Sequence, residues 1–308
     1  MRRVRRSILP LVLAAAAFAP ARPAASVRTL LLPDTPVEFI GRDFQPGEAV
    51  LAELTDRTAV RSVSIRLGGR NYRLGPDRPF VLIGLDLDLP AKALPFELDE
   101  ITRDGAAVKL RRELLVAPRE FSSSRFWVSQ AMLTPPREES ERVRREQILL
   151  QGVFNVVTPA WRGDGNFIAP LAQEPSPNFG QRRIYNRTTT SVHVGVDFGA
   201  PWGTAIRASN AGRIVLASQL YLSGWTVIID HGRGVFTFYA HCSKFLVKRG
   251  DLVRKGQAIA RVGNTGRSTG PHLHWSARIG DCRVDPLSLL ALPLGVASPL
   301  STPANLSR

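Results

Sequence analysis

The first 192 residues contain neither histidine nor cysteine, and the whole chain of 308 residues has only five histidines and two cysteines. This absence excludes imidazole and thiolate metal sites, and nucleophiles activated by histidine, from the N-terminal part of the chain. All five histidines lie between His193 and His274. Chemistry of these kinds must therefore come from the C-terminal third.

Cysteine is scarce, and its role is open at the level of the sequence. Exported proteins can form disulfides, so a bridge between Cys242 and Cys282 is one reading. The other is that Cys242 is a small buried apolar residue.

Long apolar runs are also missing, apart from Ile8–Ala19, which is too short to span a bilayer comfortably. A basic segment precedes this run, and Ala24-Ala25 offers a cleavage site. The pattern predicts a secretory signal peptide over residues 1–25, with an uncleaved anchor as the alternative. No cysteine lies near the cleavage region, which argues against a bacterial lipid anchor. We therefore expect an exported protein of the periplasm or cell envelope.

Acidic residues are outnumbered, with 26 Asp and Glu against 41 Lys and Arg, which gives a formal net charge of +15. Cleavage after Ala25 removes five arginines and no acid, leaving +10. Such a charge favours anionic polymers. An exported protein meets the anionic cell envelope rather than nucleic acid, so we expect the envelope as a partner and no nucleic acid. A basic surface without a specific partner is the alternative.

Residues 28–117 have the pattern of a small β-sandwich domain, with an immunoglobulin-like arrangement expected. Turn signals stand at Gly68-Gly69 and Asp104-Gly105. Apolar and polar residues alternate, as in half-buried strands, over Arg61–Leu67, Leu85–Leu89 and Val108–Val116. The domain carries no catalytic signal, and it could serve for binding or positioning, or as a spacer.

Residues 122–177 are predicted to form a helical and loop linker between two domains. Thr134-Pro135-Pro136 followed by the charged stretch Arg137–Leu150 indicates a helix. Residues 155–191 are rich in Pro and Gly and predict an irregular segment that walls a groove. Together with the N-terminal domain, this segment could cover the groove and restrain activity. Residues 292–308 are predicted to be a flexible tail.

Two stretches of the remaining region, 178–291, alternate strictly. Val192–Phe198 predicts a strand with His193 and Asp197 on one face, and Pro271–Trp275 predicts a strand with His272 and His274 on one face. If the strands are neighbours, His193, Asp197 and one of the second pair can hold a metal. Imidazole together with carboxylate suits zinc. Two of the other histidines would then be left for proton transfer and oxyanion stabilisation.

At this point the sequence resembles the lysostaphin-type (LytM-type) zinc endopeptidases of bacterial peptidoglycan, over about 178–287. The resemblance implies that His193, Asp197 and His274 bind one zinc ion per chain, and that His241 and His272 are the catalytic pair. It also implies an open antiparallel β-domain with a groove, in agreement with a mainly β chain. The motifs that carry it are Asn178-Phe-Gly-Gln-Arg182, His193-Val-Gly-Val-Asp197, Gly203-Thr-Ala-Ile206, Tyr239-Ala-His241, Gly250-Asp-Leu-Val253, Lys255-Gly-Gln257, Gly263-Asn-Thr-Gly266, Ser268-Thr-Gly-Pro-His-Leu-His274 and Asp285-Pro286.

Two positions depart from the family pattern. Ser276 stands where a Glu is frequent, and Cys242 where a Leu is common; neither change removes a ligand. Two other signals are set aside. Pro271 follows the Gly-rich stretch Gly263–Gly270 where a phosphate loop needs Lys, so this stretch is read as a groove loop, and His231 in a hairpin is read as structural.

The sequence thus predicts a secreted, monomeric zinc endopeptidase that hydrolyses the peptide cross-links of peptidoglycan. D-alanyl–diaminopimelate is the expected bond, and a polyglycine bridge remains open. The first alternative is a non-enzymatic activator or scaffold for another wall hydrolase. The second is a plain envelope-binding protein, favoured by charge alone.

Overall fold

The computed structural model describes residues 27–32, 35–127, 133, 135–187 and 189–294. The predicted signal peptide, residues 1–25, lies outside the described residues. Twenty strands and two helices are described, so the fold is mainly β, as predicted. None of the described helices is long and apolar enough to cross a membrane. The strands are β1 (Arg28–Leu31), β2 (Val37–Gly41), β3 (Ala49–Leu54), β4 (Val60–Leu67), β5 (Arg70–Leu74), β6 (Phe80–Gly84), β7 (Ala93–Thr102), β8 (Ala107–Leu115), β9 (Ser123–Phe126), β10 (Arg182–Tyr185), β11 (Thr189–Val192), β12 (Val196–Gly199), β13 (Ala205–Arg207), β14 (Gly212–Leu220), β15 (Gly224–Gly232), β16 (Val235–Phe245), β17 (Leu252–Val253), β18 (Ala258–Val262), β19 (His272–Ile279) and β20 (Cys282–Val284), and the helices are α1 (Arg137–Asn155) and α2 (Pro286–Ala291).

Strands β1 to β8 form the predicted N-terminal sandwich. One sheet has the order β1-β2-β3-β6 and the other the order β5-β4-β7-β8. Apolar side chains that alternate along each strand meet between the sheets, where the rings of Phe39 and Phe96 pack edge to face at 5.3 Å. In the nomenclature of immunoglobulin domains, strands β2–β8 correspond to strands A, B, C, C′, E, F and G. Strands A, B and E lie in one sheet and strands C′, C, F and G in the other, and no described strand corresponds to strand D.

The alternating stretch Leu85–Leu89 is not a strand, contrary to the prediction. Strand β6 ends at Gly84, and the chain then turns, with the Leu89 N–H donating to the Asp86 carbonyl. The leucines are buried because they pack in two different clusters, Leu85 within the sandwich and Leu87 against the C-terminal domain. The alternating pattern typical of a strand thus arises here because the leucines pack into two separate cores.

The C-terminal region contains a nine-stranded antiparallel sheet. Its main path is β12-β19-β16-β15-β14-β17, with β13, β18 and β20 attached to it. The predicted hairpin around His231–Gly234 is confirmed, since β15 and β16 pair on either side of it. Tyr239 and Trp275 are fully buried in the core beneath the sheet. Burying aromatic rings of this size is a major source of stability.

Helix α1 confirms the helix predicted over Arg137–Leu150 and extends it to Asn155. Thr134, part of the expected start, lies outside the described residues, and Pro136 caps the helix without a side-chain hydrogen bond. The extra turn buries Phe154, whose ring packs edge to face on Phe236 at 5.5 Å. The helix therefore covers one face of the C-terminal sheet.

The segment 155–191 was predicted to be irregular, and this is wrong near its end. Strand β10 pairs antiparallel with β11 and parallel with β9, forming a three-stranded sheet. These strands are short and consist mostly of Arg, Ser and Thr, so they lack an apolar alternation. The partner strand β9 also lies far earlier in the chain.

The sandwich packs on the C-terminal region through apolar contacts and hydrogen bonds. Leu51 and Leu82 share an apolar cluster with Ile279 and Leu289. The Ala49 N–H donates to Ser288 Oγ (2.9 Å), and the Asp285 N–H donates to the Gly47 carbonyl (2.6 Å).

A buried carboxylate stands at the centre of this interface. One oxygen of Asp285 accepts from the guanidinium groups of Arg42 (2.8 Å) and Arg119 (2.9 Å). The other accepts from the Leu287 N–H (3.0 Å), which caps helix α2. Asp285 therefore joins the sandwich, the linker and the C-terminal region.

The predicted flexible tail does not begin at residue 292. Leu292 and Leu294 are buried in the cluster beneath the docked sandwich, because the chain folds back over it after α2. The remaining tail, residues 295–308, lies outside the described residues.

Candidate metal centre

Strands β12, β19 and β16 bring the predicted site residues together. Asp197 lies opposite His274 in the antiparallel pair β12–β19, and Ala240 lies opposite His274 in the pair β16–β19. His241, the next residue, therefore reaches the same end of the sheet. His272 and His274 share one face of β19, as the alternation predicted.

The predicted single strand over Val192–Phe198 is broken. Strand β11 ends at Val192 and β12 begins at Val196. A Cβ atom at Gly195 would lie 2.5 Å from the Trp275 carbonyl oxygen and 2.7 Å from the His274 ring. Only glycine allows this approach. His193 thus reaches Asp197 from a loop.

Three ligand-type atoms form a nearly equilateral triangle. His193 Nε2 lies 2.9 Å from His274 Nδ1 and 3.1 Å from Asp197 Oδ1, and His274 Nδ1 lies 3.1 Å from Asp197 Oδ1. In a tetrahedral zinc site with bonds of about 2.0–2.2 Å, neighbouring ligand atoms are roughly 3.3 Å apart. Among the described residues, this is the cluster that could hold a metal ion.

The tautomer of His193 supports a cation at this point. Its Nδ1 faces the Asn178 carbonyl oxygen at 3.0 Å. A carbonyl can only accept, so Nδ1 carries a proton, and in the neutral ring Nε2 presents a lone pair to the triangle. A lone pair facing a carboxylate at this distance is repelled unless a cation or proton lies between them. The donor set and its geometry fit a metal ion.

The ionised form of Asp197 is strongly favoured. Burial opposes ionisation, but when a proton on His193 and on His274 takes the place of a metal ion, hydrogen bonds and charge interactions with the two rings outweigh it and hold the pKa of Asp197 well below its usual range. Its second oxygen, Oδ2, points away from the triangle and accepts from Arg183 (2.9 Å) and Asn178 (3.0 Å).

His241 and His272 stand beside the triangle with their ring centroids 4.7 Å apart. His241 Nδ1 donates to the Thr265 carbonyl (2.8 Å), and His272 Nδ1 donates to the Gly270 carbonyl (2.8 Å). Both Nε2 atoms are therefore free of protons in the neutral rings. His272 Nε2 lies 3.8 Å from Asp197 Oδ1, so it faces the triangle.

His241 is held in an unusual state. Its φ angle is +60°, a left-handed conformation that is costly for residues other than glycine. Burial, more than the neighbouring histidines, lowers its pKa to about 4. The strain and the burial both set His241 apart from an ordinary surface histidine.

The structure agrees with the structural role predicted for His231. His231 is buried, with its ring nitrogens on the Ala211 carbonyl (2.7 Å) and Thr237 Oγ1 (2.7 Å). The bridge between Cys242 and Cys282, one of the two readings of the sequence, is not formed: both cysteines are free and buried in different clusters, and Cys242 is a buried apolar residue. The loop Gly263–Gly270 supplies the carbonyl groups that orient His241 and His272.

Sequence reasoning missed the roles of Asn178, Arg183 and Thr265. Asn178 stood in a recognised motif, but nothing in its spacing linked it to Asp197. Arg183 lies on β10, in a segment read as irregular.

The comparisons with known proteins agree with this geometry. Residues 191–286 match the model of peptidase family M23. These residues form an M23 peptidase domain. A solved structure described as an M23 peptidase of Pseudomonas aeruginosa has a TM-score of 0.60 at 26% identity, over 80% of this chain and 96% of that one.

Two curated relatives share the M23 domain at higher identity. The DD-carboxypeptidase/endopeptidase Mpg of Neisseria meningitidis is 47% identical over 118 residues, 38% of this chain and 27% of Mpg. The peptidoglycan DD-endopeptidase ShyA of Vibrio cholerae is 45% identical over 101 residues, 32% of this chain and 24% of ShyA. The chain thus matches about a quarter of the length of these relatives.

Proposed function

We propose that this chain is an exported zinc endopeptidase that hydrolyses peptide cross-links of bacterial peptidoglycan. The observation that carries the proposal is the triangle of His193, Asp197 and His274 with two oriented histidines, His241 and His272, beside it. Relatives of the M23 domain named as peptidoglycan DD-endopeptidases support the substrate class. The basic composition suits the anionic envelope.

His193, Asp197 and His274 would hold the metal. Bound zinc supplies a Lewis acid that polarises a carbonyl and acidifies water. The protein favours the ionised form of Asp197 and directs His193 Nε2 and His274 Nδ1 at one point. Three protein ligands are the number that catalytic zinc sites use, leaving one position open.

The two neighbouring histidines would handle protons. Because their Nδ1 protons are committed to the Thr265 and Gly270 carbonyls, each Nε2 of His241 and His272 can accept a proton from the attacking water. Once protonated, the same atom can donate to the oxyanion or to the leaving amine. Because Nδ1 of each residue donates to a backbone carbonyl in the same way, either His241 or His272 can act as the base.

The expected bond joins D-alanine to diaminopimelate. The names of the curated relatives support this choice over a polyglycine bridge, since they describe DD-endopeptidases. The complete set of ligands and histidines favours an enzyme over a non-enzymatic activator, which needs no such set.

A digest of purified peptidoglycan tests the proposal. Zinc-loaded protein, lacking residues 1–25, is incubated with sacculi that carry diaminopimelate cross-links and, separately, with sacculi that carry pentaglycine bridges. We expect mass spectrometry to show conversion of cross-linked dimers to monomers in the first sample, abolished by a chelator. Zinc-loaded protein that releases nothing but accelerates a separate amidase would overturn the proposal in favour of the activator.

A further inference from the structure

The second oxygen of Asp197 is held by two side chains of the preceding wall segment, residues 176–183. Asn178 Nδ2 donates to Oδ2 at 3.0 Å, and the Arg183 guanidinium donates to the same atom at 2.9 Å. The Arg183 and Asp197 side chains are only 22% and 19% exposed. A charge-assisted bond in such a partly buried place is stronger and less screened than one on the surface.

Asn178 contacts two of the three candidate ligands, His193 in the loop and Asp197 on strand β12. Its carbonyl accepts from His193 Nδ1, its side-chain Oδ1 accepts from the Asp197 N–H (3.3 Å), and its Nδ2 reaches Asp197 Oδ2. One residue thus sets the tautomer of His193 and the rotation of the Asp197 carboxylate.

The wall segment is itself anchored to the backbone around the ligands. The Ser176 N–H donates to the Asp197 carbonyl (2.8 Å), and the Gly180 N–H donates to the His193 carbonyl (2.8 Å). Phe179, between them, is buried and packs on the Phe121 ring. Asn178 is therefore held in register with the site.

We propose that Asn178 and Arg183 are positioning residues that restrict Asp197 to one coordinating oxygen. With Oδ2 engaged by two donors, only Oδ1 turns to the triangle. A carboxylate free to bind through both oxygens would occupy the position that a catalytic zinc leaves open. This inference rests on the proposed zinc site, and it concerns how the site stays open.

The test compares Arg183→Gln and Asn178→Ala with a matched control, Arg182→Gln. Arg182 is the exposed neighbour of Arg183 on β10 and contacts no site residue in the described hydrogen bonds and ion pairs. Zinc affinity is measured by competition with a chelator, and the visible absorption of the Co²⁺-substituted protein reports coordination number. The thermal midpoint of the metal-free protein reports folding.

We expect zinc affinity to fall about 10–100-fold in Arg183→Gln and Asn178→Ala, as for other residues that orient metal ligands. The Co²⁺ absorption should weaken as the coordination number rises. Arg183→Lys, which retains a charge, should recover part of the affinity, and Arg182→Gln should match the wild type.

Unchanged affinity and unchanged Co²⁺ absorption in Arg183→Gln would overturn the inference, while leaving the proposed peptidase intact. If Asn178→Ala loses its fold, Arg183→Gln decides alone, since it removes only side-chain contacts, those with Asp197, Gln181 and Phe126. Wild-type protein that binds no zinc would overturn both proposals, and this outcome needs no peptidoglycan to recognise.

Discussion

Two carboxylates of this molecule, the buried Asp285 and the half-buried Asp197, have opposite chemical surroundings. Asp285, at the sandwich interface, has both oxygens filled by permanent donors: the guanidinium groups of Arg42 and Arg119 and the Leu287 N–H. Asp197 has one oxygen filled in this way, by Arg183 and Asn178. Its other oxygen faces two imidazole nitrogens, one of which, His193 Nε2, has a lone pair and no proton.

The difference separates a structural carboxylate from one arranged for a metal. Arginine keeps its proton in proteins, so Asp285 has permanent cationic partners in Arg42 and Arg119. Asp197 needs a further cation to complete its surroundings. We therefore expect changes at Asp197 to affect metal binding and catalysis, and changes at Asp285 to affect stability.

The largest effect is expected for Asp197→Ala. Removing one of three ligands should abolish stoichiometric zinc binding and lower the rate of cross-link cleavage by at least about a thousandfold, which corresponds to roughly 4 kcal/mol of transition-state stabilisation. Metal analysis and the sacculus digest measure the two quantities. Denaturant unfolding of the metal-free protein should change little, and a variant that keeps a tenth of wild-type activity would contradict the assignment.

Asp285→Ala should behave in the opposite way. It leaves the guanidinium groups of Arg42 and Arg119 at a mostly buried interface without their shared partner, so the free energy of unfolding should fall by about 3–5 kcal/mol. Urea unfolding measures this loss, and zinc binding of the folded fraction should persist. The control is Asp281→Ala, since Asp281 pairs with Arg70 on the surface and should contribute at most about 1 kcal/mol. Equal losses in both variants would contradict the comparison.

Part of this fold and of the candidate site could be predicted from the sequence. Strict alternation located β4 and β19, because buried and more exposed positions alternate along much of each strand, and the turn residues His231–Gly234 located the hairpin of β15 and β16. The five site residues could be named because their spacing and motifs are local. The structure brings these five residues together at one end of the sheet.

Other features depend on contacts between distant segments. The parallel pairing of β9 with β10, and with it the reach of Arg183 to Asp197, joins segments that are far apart in the chain. The break at Gly195 follows from the close approach of Trp275. The buried Leu85 and Leu87 imitate a strand because they face two cores. None of these contacts leaves a periodic signal in the sequence.

His231 offers a further contrast, because it is buried and lies outside the metal-type cluster found among the described residues. Burial lowers its pKa to about 4 from about 6.5 in the unfolded chain. Between these values the unfolded state binds the proton and the folded state does not, so stability is complete above pH 6.5 and falls as the pH drops towards 4. The loss should be on the order of 3 kcal/mol.

The His231→Gln variant measures this contribution. Its free energy of unfolding should depend less on pH than that of the wild type between pH 6.5 and 4, in metal-free protein. Parallel curves for the two proteins would show that His231 is not held neutral.

The smallest effect concerns packing at the docked interface. A Cβ atom at Gly84 would lie 2.5 Å from Cys282 Cβ, so Gly84→Ala should cost about 1–3 kcal/mol of stability. Gly152→Ala, in helix α1, meets no atom within 4 Å and should be neutral or stabilising by up to about 1 kcal/mol. Thermal unfolding compares the stability of the two variants with that of the wild type. A Gly84→Ala protein as stable as the wild type would contradict the close packing of Gly84 against Cys282.

We propose that one metal ion at His193, Asp197 and His274 drives cross-link hydrolysis. The most direct test adds zinc stepwise to metal-free protein and follows cleavage of a purified muropeptide dimer joined by D-alanyl–diaminopimelate. We predict a rate that rises linearly and saturates at one zinc per chain, and that stays at background in Asp197→Ala. A rate independent of zinc, or an equal rate in Asp197→Ala, would contradict the account.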